Sequence, residues 1–89
     1  MTIQEYEEKL LQLIDDGIDT ATDDELFAGG YLRGHISLAA ADCELENESQ
    51  LLAMKEKVEQ SISDAKSELS PSDECLIKLY WKELQFSAK

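Results

Sequence analysis

Apolar positions recur every three or four residues along almost the whole chain, which is the period of helices that bury one face. The first series, Ile3, Tyr6, Leu10, Leu13, Ile14, Ile18 and Ala21, predicts an amphipathic helix from about Thr2 to Thr20, with Gly17 weakening its last turn. The stretch "TDDEL" then restarts the chain. Thr22 as N-cap with Glu25 three residues on makes a capping box, and Asp23 and Asp24 sit in the first turn, where the helix dipole favours anions. This second helix runs to about Glu46 and stops at the polar cluster "LENES". A third, roughly Ser49 to Leu69, carries Leu51, Met54, Val58, Ile62, Ala65 and Leu69 on one seam. The fourth opens at "SPSDE", where Ser70 caps, Pro71 takes the first helical position and Asp73 and Glu74 fill the first turn. No alternating strand pattern and no Asn-Gly or Asp-Gly hairpin signal interrupts the series. The expectation is an all-α fold: a single domain over residues 1–89, built as a compact antiparallel four-helix bundle with the second helix central.

The central position follows from the helical wheel. At 100° per residue, Phe27, Gly30, Tyr31, Gly34, Leu38, Ala41 and Leu45 share one face of the second helix. Ala28, Gly29, Leu32, Ile36, Ala39, Ala40 and Cys43 share the opposite one. A helix apolar on both sides is expected to be buried between neighbours. Gly30 and Gly34 lie four apart on the first face, a flat strip where a neighbouring backbone can pack closely. Glycine inside a helix costs about 1 kcal/mol relative to alanine, so three of them call for packing or function in return. Arg33 and His35 fall on the two edges between the faces, about 160° apart on the wheel, too far to converge easily on one small ligand. Arg33 is read as a partly buried ion pair with carboxylates of the first helix or the acidic turn. His35 is read as an imidazole bonded to a backbone carbonyl or to Tyr31 one turn earlier. Tyr31, Arg33 and His35 are the candidate polar or ligand cluster.

The fourth helix carries more apolar surface than an outer helix needs. Cys75, Leu76, Ile77, Leu79, Tyr80, Trp81, Leu84 and Phe86 cover roughly two thirds of its circumference, and Lys78, Lys82 and Gln85 hold the narrow polar side. The surplus flank is placed at Ile77, Trp81 and Leu84, a candidate exposed surface for another protein or a second copy.

Composition sets the bounds around this picture. With 43% hydrophobic residues and one proline among 89, the chain is too apolar for a disordered tail, though near the size where one core only just suffices. The net charge of −12 is lopsided: 13 acids stand against two bases through Glu48, and 7 against 6 lysines beyond it. Such a surface repels phosphate backbones and anionic lipid, so direct nucleic-acid and membrane binding are not expected. It keeps the protein soluble, and it could steer a basic partner to the N-terminal half or act as a decoy for a nucleic-acid-binding protein. "MTIQEYEEKL" puts acids where a signal peptide needs bases, and no apolar run is long enough to cross a bilayer, so a cytoplasmic location is expected. In that setting Cys43 and Cys75 read as reduced, buried thiols.

The residues offer little for catalysis. One histidine and two cysteines 32 positions apart give no zinc signature. The acidic run from Asp15 puts Leu26 where a calcium loop needs its glutamate and Thr20 where it needs glycine. "AGGYLRG" follows no strand, so it is no phosphate loop. Cys43 lies two turns from His35 on another face, out of reach within one helix. No metal, cofactor or enzymatic activity is expected. The remaining expectation is a protein-interaction module with an unknown protein partner or weak self-association as a homodimer. Its alternatives are the acidic decoy and a small-molecule pocket beside the glycine strip near His35.

The string "LIDDGIDTATDDELFAGGYLRGHISLA", followed later by "ELSPSD", closely resembles the YfcL family of small proteobacterial proteins. The likeness spans nearly the whole chain and is densest across "TDDELFAGGYLRGH"; the C-terminal helix matches only at its "LSPSD" start. The resemblance implies a compact helical domain in a bacterial cytoplasm. It carries no catalytic or binding residues over to this chain.

Overall fold

A computed structural model of the chain describes residues 2–88. Four helices form: α1 (Ile3–Asp16), α2 (Asp23–Leu45), α3 (Leu51–Asp64) and α4 (Pro71–Ser87), with short 3-10 turns at Ile18–Thr20 and Lys66–Glu68. Among the described residues there is no strand. Two helices stop sooner than the hydrophobic period suggests. α1 gives way at Gly17 and α3 at Ala65, each continuing as a 3-10 turn. Neither has a basic residue in its last turn, and Asp15, Asp16 and Asp64 put negative charge at the negative end of the dipole.

The starts follow the capping chemistry. Thr22 accepts from the Glu25 amide at 3.2 Å while Glu25 accepts from the Thr22 amide at 3.0 Å, completing the expected box. Thr2 and Glu5 form the same box on α1, and Ser70 accepts from the Asp73 amide at 3.1 Å ahead of Pro71. α2 closes on Asn47, whose φ of 56° lies in the left-handed region that asparagine tolerates. The Glu48 amide reaches back to the Cys43 carbonyl at 2.8 Å and the Asn47 amide to Glu44 at 3.2 Å, the Schellman arrangement.

α2 packs against all three other helices. Asp15 meets Arg33, while Thr2 and Ile3 line a groove with Ala40 and Glu44, so α1 runs antiparallel to α2. His35 meets Ser61 and Glu46 meets Lys57, so α3 runs antiparallel to α2 as well. The core holds Leu10, Leu32, Ile36, Cys43, Met54, Val58, Ile62 and Ile77, all fully buried, each large aliphatic among them contributing about 1.5–3 kcal/mol by leaving water.

The inward face of α2 alternates Leu32, Ile36 and Cys43 with Ala28, Gly29, Ala39 and Ala40. Those small residues are what let three helices approach one. Gly29 is the tightest point: a Cβ there would sit 3.2 Å from Ile14 Cγ2 and 3.2 Å from the Tyr80 hydroxyl. The expected close-packing glycines, Gly30 and Gly34, are not the seam. Both face outward, and a Cβ at either would meet nothing within 4 Å. Three neighbours cover one side of α2, so a helix can be central to this bundle and still keep most of its other side in solvent, with Tyr31 half-buried at the edge.

Candidate interaction surface

That stripe runs Phe27, Gly30, Tyr31, Gly34, Leu38, Ala41, Leu45, about 27 Å along the helix at 1.5 Å per residue. Phe27 is 41% exposed, Leu38 56% and Leu45 83%. One edge is a row of rings, one per turn. Phe27 and Tyr31 are tilted with centroids 6.2 Å apart, and Tyr31 stacks on His35 at 4.5 Å. The row is fastened to α3 by a hydrogen bond between His35 Nδ1 and the Ser61 hydroxyl. Burial pushes the His35 imidazole below its ordinary pKa, with Glu68 pulling the other way. The Tyr31 phenol is pushed up, by burial first and then by Glu68, and its hydroxyl is buried without a hydrogen-bond partner. The imidazole is thus neutral near pH 7, and the row presents edges and faces rather than charge.

The polar borders are acidic. Asp23 and Asp24 lie at the start of the stripe, and Asp42 and Glu44 near its end. Asp23, Asp24 and Glu44 form no ion pair among the described residues. A cation beside the stripe, Arg33, is engaged: its Nε donates to Asp15 Oδ1 at 3.2 Å and its Nη2 to Oδ2 at 3.0 Å. This two-point pair lies on α1 as expected, but it is exposed rather than partly buried, and it holds the Asp15 carboxyl below the usual range. The candidate cluster therefore splits. Tyr31 and His35 meet, Arg33 turns to the other edge, and the imidazole bonds a side-chain hydroxyl instead of a backbone carbonyl or the tyrosine. Ser61 was not legible as its partner, because a serine 26 positions away on another helix leaves no local mark.

The surface expected on α4 is corrected too. Ile77, Trp81 and Leu84 are core, Trp81 being 4% exposed with its indole Nε1 donating to Glu59 Oε2 at 3.4 Å. The surplus apolar surface exists, but on the opposite side, where Leu79 is 57% and Phe86 73% exposed. Trp81 closes over the core, and the buried face abuts the lysine side of the helix instead of lying across from it. Cys75 falls on the exposed flank rather than in the core, while Cys43 is buried, with burial raising its thiol pKa and Lys57 opposing. Several surface grooves lie elsewhere, among them one of about 400 Å³ between α3 and α4, lined by Glu59, Trp81 and Lys82 among others, one of about 280 Å³ beside the start of α1, and one of about 470 Å³ beside Cys75 and Leu79 on α4. None of these three is lined by Tyr31, Arg33 or His35.

Fold and surface together define a small all-helical protein with the outward apolar face of α2 left open. Among the described residues no three metal-binding side chains cluster, and no helix is long and apolar enough to cross a membrane. The family described as YfcL protein matches residues 4–86, and the chain belongs to that family. It is similar to Uncharacterized protein YfcL of Escherichia coli (strain K12), with 45% identity over 84 residues that cover 92% of this chain and 91% of that protein. No solved structure matches it.

Proposed function

We propose that this is a protein-interaction module without catalytic activity, working in the bacterial cytoplasm, and that it docks a partner on the outward face of α2. One observation carries the reading. The helix that anchors the core keeps Phe27, Leu38 and Leu45 in water on its other side, in register, around two glycines that nothing in the fold requires. Isolated exposed apolar residues are ordinary on a soluble protein, but an aligned row on one helix is the pattern of a recognition surface. The flat glycine strip lets a second backbone approach closely, which offsets the roughly 1 kcal/mol each glycine costs the helix.

The Ser61–His35 pair is the nearest thing to a nucleophile and base. The imidazole is stacked under Tyr31, and none of the three grooves places space in front of the pair for a reacting carbonyl, so we assign it to holding α2 on α3. We assign the acidity to steering a partner onto the apolar row, because the net charge of −12 is concentrated on the half of the chain that carries it. The reading is tested by placing a photo-crosslinking residue at Leu38 or Leu45 in cells, with Leu52 on α3 as the control position. A discrete adduct from α2 alone is expected, and adducts equally frequent from Leu52, or none from α2, would overturn it.

A further inference from the structure

The occupant can be narrowed by charge, and this step rests on the docking reading above. We propose that the outward face of α2 takes an amphipathic helix with a basic border, supplied by another protein rather than by a second copy of this chain. Three features of the surface converge on that chemistry. The first is shape: a straight apolar row about 27 Å long, with Gly30 and Gly34 in its N-terminal half, matches about five turns of a helix and lets the two backbones approach closely there. The second is the border. Asp23 and Asp24 at one end and Asp42 and Glu44 at the other flank the row, and Arg33 is already neutralised by Asp15. Lysines or arginines beside the partner's apolar seam would meet carboxylates at both ends of the row. The third is the charge of the whole molecule. At −12, with the excess concentrated on the half of the chain that carries this helix, two copies placed face to face would bring like-charged borders together.

The probe is a pair of synthetic helices of about 18 residues, long enough to lie along the row. Both carry the same leucine and alanine face; one is bordered by lysine and arginine, the other by glutamate. Titration into the isotopically labelled full-length protein is followed by amide shifts, at low and at moderate salt. Binding of the basic helix is expected, about tenfold or more tighter than the acidic one, weakening as salt is raised, with shifts centred on Gly30, Gly34 and Leu38. Leu38→Asp and Gly34→Leu should both abolish it. Gly34→Leu leaves the charge untouched and adds a better helix former where a Cβ meets nothing within 4 Å, and a thermal melt no lower than the wild type's separates its loss of binding from unfolding.

Equal binding of both helices to the α2 face overturns the basic partner and leaves the docking surface standing. Binding of the basic helix that ignores both substitutions overturns the proposal and the surface together, since charge alone would then be responsible. Failure of both helices to bind also overturns both. A dimer in sedimentation that Leu38→Asp returns to monomer overturns the foreign partner in favour of a second copy.

Discussion

The two faces of α2 are nearly equal in apolar content and opposite in fate. The inward face pairs Leu32, Ile36 and Cys43 with Ala28, Gly29, Ala39 and Ala40; the outward one carries Phe27, Tyr31, Leu38 and Leu45 around Gly30 and Gly34. Both satisfy the helical period, so hydrophobicity does not decide between them. What decides is where the small residues lie. Three helices can close around α2 only where its side chains are short enough at each crossing, and Ala28, Gly29, Ala39 and Ala40 supply that. On the outward face large side chains and glycines alternate in an arrangement no neighbour in the fold fills.

The largest expected difference between the faces is in stability. Ile36→Ala or Leu32→Ala should cost about 2–5 kcal/mol in chemical denaturation, by lost transfer energy and the cavity left behind. Leu38→Ala and Leu45→Ala should stay within about 0.5 kcal/mol, as surface changes do. The same contrast holds on α4, with about 3–5 kcal/mol for Trp81→Ala and almost nothing for Leu79→Ala. Comparable losses from Leu38 and Ile36 would mean that the outward face is covered in the folded protein.

A sharper version uses adjacent glycines. Gly30→Ala and Gly34→Ala should each stabilise the protein by about 0.5–1 kcal/mol, because alanine restricts the unfolded chain and meets nothing in the folded one. Gly29→Ala should lack that gain, since Ile14 and the Tyr80 hydroxyl must first give way. A thermal melt of the three variants ranks them; a gain at Gly29 to match Gly30 would show that the seam is looser than the 3.2 Å contacts imply.

The smallest effects concern charge at the edges of the stripe. Arg33→Ala should lower stability slightly, and the loss should vanish in high salt, because the pair with Asp15 is solvent-exposed. At His35 the folded state holds its proton less firmly than the unfolded chain, whose imidazole keeps its ordinary 6.5. As pH falls through that value the unfolded chain gains a proton that the folded one does not, so stability declines, and the decline stops below the lowered folded value. Denaturation midpoints between about pH 7.5 and 5.5 should show this slope in the wild type and lose it in His35→Gln. The Asp15 carboxyl contributes in a separate window, losing its stabilisation only as pH falls below its ordinary 3.8.

Much of this architecture was legible in the chain. Thr22 with Glu25 and Ser70 with Pro71 mark helix starts through local chemistry, and the Leu51-to-Ile62 seam marks a one-sided helix directly. Legibility failed where a choice lay between two apolar faces of one helix. Ile77, Trp81 and Leu84 were expected outside and lie inside, and Gly30 and Gly34 were expected inside and lie outside. In both cases the wheel supplies the apolar arc but not its phase, which the volumes of distant neighbours such as Ile14, Glu59 and Tyr80 set. The Arg33 pair was foreseeable because α1 ends in carboxylates; the His35–Ser61 bond was not, because it depends on how α3 is rotated.

The two cysteines have a consequence for watching the molecule come apart. Cys75 stands in water on the outer flank of α4, whereas Cys43 is sealed in the core with its thiolate disfavoured by burial. A thiol reagent will therefore modify one sulfur at once and the other only when α2 lifts off its neighbours. The delay between the two modifications is a built-in clock for opening of the bundle, and it should shorten with every substitution on the inward face while ignoring those on the outward one.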